Sequence, residues 1–333
     1  MRRLLGAVFG ATSALRVEAY RRGWLARHRL SGPVVSVGNL GVGGSGKTPL
    51  VRRVAELLRD EGEPVAVLSR GYGGRFAGEM LVVSDGASVL ASAAEAGDEP
   101  VMLARALPGV VVAVGTRRDA VGRAVEARFG RRVHVLDDGF QHLRLARDLD
   151  LVCLDVHDLE DRPLPAGRLR ERPAALARAD LVMLTRLEAA SEAELRALEG
   201  RIGPDRTFRV ERRVSGFTTP EGAAHDAPRR AFLLAAIARP ERFEQDAAAA
   251  GVTVAGRAFF RDHHRFRPHE LASVAEQARR AGADAIVTTA KDVVRLEGTP
   301  PGGLPVVVLG IEARVADEPR LRERLLAVVR RAA

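Results

Sequence analysis

The chain has 333 residues, more than one small core needs and enough for two domains. A 46% hydrophobic, 29% charged composition reads as globular and soluble, and no apolar run reaches the roughly 18 residues of a spanning helix. One cysteine, Cys153, excludes a disulfide framework and favours a reducing compartment; the net charge of +9 suits an anionic partner or merely an arginine-rich solvated surface.

No small-residue cleavage site of a secretory signal is evident at the start of the chain. Leu4, Leu5, Val8, Phe9 and Leu15 recur there at helical spacing, followed by Tyr20 and Trp24 and surrounded by seven arginines. This pattern predicts an amphipathic helix over residues 1–30 that suits an anionic membrane surface, or else one packed on the body of the protein.

From residue 33 the pattern becomes β/α. A strand-like run at 34–37 leads through Asn39, the one asparagine, into Gly41-Val42-Gly43-Gly44-Ser45-Gly46-Lys47-Thr48, after which a helical pattern covers 47–60. The octapeptide matches the phosphate-binding loop G-x-x-x-x-G-K-[ST] in full, in the strand-to-helix context it needs. Its glycines turn backbone N–H groups towards phosphate, Lys47 reaches the β/γ oxygens, and the Thr48 hydroxyl serves Mg²⁺.

Of 52 Lys and Arg residues only Lys47 and Lys291 are lysines. A compact ammonium is therefore a candidate requirement at both places.

Further along come a strand at 65–68 leading to Ser69-Arg70-Gly71-Tyr72, then the two-carboxylate loop Gly97-Asp98-Glu99-Pro100. Two adjacent carboxylates can divide the labour between a metal and a hydroxyl proton, or can simply start a helix. A strand at 110–114 precedes Arg117, and one at 133–136 ends on Asp137-Asp138, where P-loop enzymes hold Mg²⁺ or its water shell. Strands at 151–154 and 181–184 follow, with Gly167-Arg168-Leu169-Arg170-Glu171 between them.

An alternating run at 208–214 reads as a connecting strand. A second β/α pattern then uses 231–236, 285–289 and 306–309, with the pair His263-His264 and the motif Lys291-Asp292. The histidines alone would suit a metal, but no second ligand cluster has the spacing for one. The expected fold is α/β: a P-loop NTPase-type, mostly parallel sheet flanked by helices over 31–215, a smaller α/β domain over 216–333, and the N-terminal helix.

In this order the pieces resemble the tetraacyldisaccharide 4′-kinases of lipid A biosynthesis. The resemblance rests on residues 37–48, 69–74, 97–101, Arg117 with Asp119-Ala120, Asp137 to His142, Leu164 to Gly167 with Arg170-Glu171, Asp262-His263, and 289–292. It implies phosphorylation by ATP and Mg²⁺ of the 4′-hydroxyl of a tetraacylated glucosamine disaccharide 1-phosphate. It further implies a peripheral enzyme on the cytoplasmic face of the bacterial inner membrane, working as a monomer.

By the same resemblance Asp98 is the base, His263 its partner, and Glu99 a magnesium residue beside Thr48. Asn39, Arg70, Tyr72, Arg117, Gln141, His142, Arg170 and Glu171 contact sugar or phosphate, and Lys291 and Asp292 go with the nucleotide. The rival class is a P-loop GTPase or ATPase switch that binds partners; the chain lacks the Asn-Lys-x-Asp guanine motif. An aromatic content of 4% offers few stacking platforms, so no nucleic-acid partner is expected.

Overall fold

The computed structural model describes residues 1–43, 46–296 and 303–332; Gly44 and Ser45, expected in the phosphate cradle, lie outside them. Among the described residues thirteen strands form one mixed sheet. They are β1 (Val34–Asn39), β2 (Val65–Ser69), β3 (Leu81–Asp85), β4 (Val111–Val114), β5 (Val133–Asp137), β6 (Leu149–Asp155), β7 (Leu181–Thr185), β8 (Thr207–Thr218), β9 (Ala224–His225), β10 (Arg230–Ala235), β11 (Thr253–Phe259), β12 (Ala285–Thr289) and β13 (Val306–Val315). The sheet runs β11-β10-β12-β13-β8-β7-β6-β1-β5-β2-β4-β3, with β9 beside β8.

The central strands read as unbroken apolar runs because they are buried on both faces. In β1, Val35 and Val37 enter one core and Val34 the other. The first core lies under α2 (Lys47–Asp60) and α4 (Asp98–Ala106), with the four-residue α3 (Ala93–Ala96) before it; the second lies under α5 (Arg118–Phe129). Beyond β7 the chain forms α6 (Glu192–Ile202) and enters β8.

β8 carries the sheet across the chain. Residues 207–209 pair in parallel with β7, and the rest pairs antiparallel with β13. Residue 215, the expected domain boundary, lies inside this strand. The remaining helices are α7 (Pro240–Ala249), α8 (Pro268–Arg280), α9 (Ala290–Val293) and α10 (Glu318–Ala332). Val293 and Val294, with Leu321, Leu325, Val328 and Val329 of α10, join the core shared with α2 and α4. Arg53 of α2 also grips Glu318 of α10, at 2.8 Å through Nε.

The N-terminal helix α1 spans Arg2–Arg21, shorter than expected. Gly23 at φ +77° ends the turn that follows it, so Trp24 is not on the helix with Tyr20 but lies under the Arg22 guanidinium, 5.2 Å from the ring centroid. The helix seats on the segment 163–172 through Gly6 and Gly10, where an added Cβ on Gly6 would come within 2.9 Å of Ala166 Cβ and the Pro163 carbonyl. Leu4, Leu5, Val8, Phe9 and Leu15 are left exposed. Among the described residues no helix is long and apolar enough to cross a membrane.

Gly97 aims the start of α4. Its φ of +94° and ψ of +159° fall in a region essentially restricted to glycine, and a Cβ there would meet the Tyr72 carbonyl oxygen. Gly97→Ala therefore adds backbone strain to overpacking and should destabilise the fold by on the order of 2–4 kcal/mol. A urea denaturation curve checks this; an unchanged midpoint would show that the loop relaxes freely.

Candidate active site

Ligands in parallel α/β sheets bind in the crevice beyond the carboxyl ends of the strands. β1, β5, β2 and β4 deliver Asn39, Asp137, Ser69 and Val114 to that edge; Lys47 opens α2 after β1, and the loops after the other three carry Asp138, Arg70 and Arg117. The Lys47 ammonium lies 2.8 Å from Asp138 Oδ1 and donates to Asn39 Oδ1 at 2.9 Å. Asp138 sits at φ +55°, a conformation that costs a non-glycine residue about 1 kcal/mol. That turn lets its second oxygen accept from Arg170 at 2.6 Å.

The network continues. Gln141 Nε2 donates to the Asn39 carbonyl at 2.9 Å and to Glu171 Oε1 at 3.1 Å, and Arg178 holds the buried Glu171 at 2.9 Å through both terminal nitrogens. Asn39, Gln141, Arg170 and Glu171 thus form one hydrogen-bonded floor beside Lys47. His142 lies next to it, with Nε2 buried and unpartnered among the described residues. Burial, with Arg118 nearby, pushes its imidazole down to about 3, so it is neutral at physiological pH. Arg117 lies apart, with Arg123 and Arg144 around the buried Asp119 at 3.3–3.4 Å. Arg70 and Tyr72 are exposed beside the crevice.

Asp137 and Asp138 differ in environment. Asp138 is lowered: burial works to raise it, but Lys47 and Arg170 outweigh burial. Asp137 is raised to about 6, first by burial and then by the Glu99 carboxylate; a hydrogen bond from Ser69 at 2.9 Å only partly offsets this. Oxygen donors under mutual repulsion fit Mg²⁺, which takes one or two carboxylates and keeps the rest of its shell as water and phosphate. Among the described residues no three His, Cys, Asp or Glu side chains converge as a metal cage.

Across the crevice lies a second unit. His263, in the loop after β11, places Nδ1 2.9 Å from Asp98 Oδ2 at the start of α4. Asp98 is 8% exposed. His263 takes φ +61° and anchors its backbone N–H on the Ala236 carbonyl at 3.1 Å. Its neighbour turns away: His264 contacts Glu270 at 2.9 Å and stacks on Phe260.

Lys291, at the start of α9, lies 3.2 Å from His263 Nε2 and 3.8 Å from Glu99. Asp292 is fully buried, accepting from the Ala236 N–H at 3.1 Å and from Thr289 Oγ1 at 2.7 Å, and pairing with Arg295. Sequence reasoning missed Arg295, whose Nε lies 3.5 Å from Asp98 Oδ2 and whose terminal nitrogens reach the His264 and Ala236 carbonyls. In a chain so rich in arginine, only its burial distinguishes it.

Such a site belongs to a phosphotransferase built on the P-loop fold. The comparisons narrow the class. A family model described as tetraacyldisaccharide-1-P 4′-kinase matches residues 2–330. A protein named tetraacyldisaccharide 4′-kinase from Anaeromyxobacter dehalogenans is 46% identical over 88% of this chain and 80% of its own length. One of the same name from Geobacter sulfurreducens is 40% identical over 97% and 93%. The crystal structure of LpxK from Aquifex aeolicus in complex with ATP superposes with a TM-score of 0.81 at 30% identity, covering 98% of this chain and 97% of that one. The chain belongs to the tetraacyldisaccharide-1-P 4′-kinase family.

The Asp137 environment has a consequence for stability. In the folded chain this carboxyl titrates at about 6, and in the unfolded chain near ~4. The folded state thus holds the extra proton between those values, so stability falls as pH rises from ~4 to ~6 and stays reduced above. Asp137→Asn removes that loss, on the order of 3 kcal/mol at neutral pH. Urea denaturation with chelator present should show the variant more stable at about pH 7.5 and little different near pH 4. A difference independent of pH would contradict the assignment.

Proposed function

We propose that this chain transfers the γ-phosphate of ATP to the 4′-hydroxyl of a tetraacylated glucosamine disaccharide 1-phosphate, at the cytoplasmic face of a bacterial inner membrane. The family supports the substrate. The observation that carries the chemistry is the Asp98–His263 pair, whose neighbour Glu99 is close enough to raise Asp137, the residue before the Asp138 that pairs with Lys47. An alcohol acceptor must lose a proton, and phosphoryl transfer otherwise rests on positioning and charge.

In this reading Lys47, oriented by Asn39 and Asp138, receives the β- and γ-phosphate oxygens. Mg²⁺, held by Thr48 with Asp137, Asp138 or Glu99, supplies charge neutralisation for the transferring group. Asp98 Oδ2 is engaged by His263 and lies near Arg295, which leaves Oδ1 to take the hydroxyl proton. Asn39, Gln141, His142, Arg170 and Glu171 orient the sugar, and Arg70, Tyr72 and Arg117 receive its anionic end. The parts 31–215 and 216–333 act as the two walls of the crevice. His263 and Asp98 come from different walls, so closing the walls on substrate excludes water and suppresses wasteful ATP hydrolysis.

Incubation with γ-labelled ATP and the lipid precursor should place the label at the 4′ position, and Lys47→Ala should abolish it. Asp98→Ala should lose ~10² to ~10⁴ in kcat while still binding ATP. The Asp98→Ala/His263→Ala double variant should be little worse than the poorer single one. Near-normal turnover by Lys47→Ala, or strictly multiplicative losses in the cycle, would refute the mechanism.

The exposed apolar ridge of α1 supports attachment to the membrane surface, since the glycine face already makes the intramolecular contact. Replacing Leu4, Leu5 and Val8 with glutamine spares that seat and should weaken cosedimentation with anionic vesicles by about tenfold or more. Binding of the wild type should also weaken as salt rises. Equal binding by both proteins would assign the helix a purely structural role.

A further inference from the structure

We propose that Lys291 is a positioning residue that fixes the tautomer of His263, so that an N–H and not a bare nitrogen faces Asp98. The proposal deepens the reading of Asp98 as base and rests on it for its kinetic consequence, though not for its spectroscopic one.

Lys Nζ carries only donors. Set 3.2 Å from His263 Nε2, it makes that nitrogen the acceptor. A neutral imidazole with Nε2 unprotonated carries its hydrogen on Nδ1, and Nδ1 lies 2.9 Å from Asp98 Oδ2. The hydrogen bond is therefore donated to the carboxylate. In the other tautomer a lone pair would face the Asp98 oxygen and push the two groups apart.

The ammonium is held for this task. Around it stand His263 Nε2 at 3.2 Å, Asp262 Oδ1 at 3.5 Å and Glu99 Oε1 at 3.8 Å. Three rotatable donors on one compact centre suit three acceptors converging from two segments, the Asp262-His263 loop and the first turn of α4, whereas a planar guanidinium suits acceptors in one plane. This gives a physical reason for lysine here in a chain where only Lys47 and Lys291 escape the use of arginine.

The backbone beneath is tied to the same parts. Asp292, next in the chain, holds the Ala236 N–H, and the Ala236 carbonyl accepts from both the His263 N–H and Arg295. Lys291 and His263 are thus referenced to one residue, Ala236, immediately after β10.

The test uses the full-length enzyme. With ¹⁵N-labelled histidine, long-range ¹H–¹⁵N spectra separate the two tautomers, and eight histidines make assignment by His263→Asn practical. The expected result is the Nδ1–H form of His263 in the wild type and the Nε2–H form, or a mixture, in Lys291→Met. An Nε2–H form in the wild type, or an Nδ1–H form that persists in Lys291→Met, would overturn the proposal.

The kinetic arm expects Lys291→Met to lower kcat by about tenfold, a fraction of a general base's ~10² to ~10⁴, with KM for ATP unchanged. Lys291→Arg should not restore it, and adding Lys291→Met to His263→Ala should cost nothing further. A raised KM for ATP with kcat intact would assign Lys291 to the nucleotide instead. If the tautomer responds as stated but His263→Ala keeps full kcat, the failure lies with the reading of Asp98 as base.

Discussion

The contact between Asp98 and His263 joins residues 165 positions apart in the chain, and most of the architecture serves to make it. Asp98 stands at the head of a short helix aimed by a glycine that no other residue can replace without strain. His263 hangs on a loop after the edge strand β11. Between these two ends the sheet continues through β8, which takes β7 as partner in its first residues and β13 in the rest. The second half of the chain then folds back, setting α9 and α10 into the core that already supports α2 and α4. Without that return the carboxylate and the imidazole would be unrelated surface groups.

Charge is distributed unevenly over the crevice, and the unevenness has a purpose. Asp138 is compensated twice, by Lys47 and Arg170, whereas Asp137 is buried with a hydroxyl and a nearby carboxylate for company. The second is an unfavourable arrangement in isolation. In the proposed reading the cation that relieves it is Mg²⁺. The Asp98 side is arranged differently: Oδ2 faces the His263 imidazole and the Arg295 guanidinium and no second carboxylate is paired with it among the described residues.

Much of this was legible in the sequence. The phosphate loop was complete, and the central parallel strands read as Val/Leu runs because both of their faces are buried. Of the strands without a sequence signal, β3 and β11 are the two edges of the sheet and β9 is a two-residue strand beside β8. Residues of β11 are half-exposed and include Gly256 and Arg257, so no apolar run marks it. The choice between His263 and His264 could not be made from their chemistry, since both carry the same side chain; a left-handed backbone at His263 turns one to Asp98 and leaves the other with Glu270. The end of α1 was overestimated because a spacing of four between Tyr20 and Trp24 imitates a helix that Gly23 has already ended. Arg295 illustrates the harder limit: its role depends on burial between segments distant in the chain, and a single arginine among dozens carries no local mark.

The return of α10 to the first core sets an order of events for a chain made from its N-terminus. The phosphate loop and its helix lie within the first sixty residues, but Leu321, Leu325, Val328 and Val329 seal their core from the last fifteen. A nascent chain on the ribosome can therefore possess the nucleotide loop long before it possesses a finished interior beneath α4, and His263 arrives late as well. Contacts of such high sequence separation form slowly and last. The Asp98–His263 contact, 165 residues apart, is accordingly one that forms only after the phosphate loop and its helix are in place.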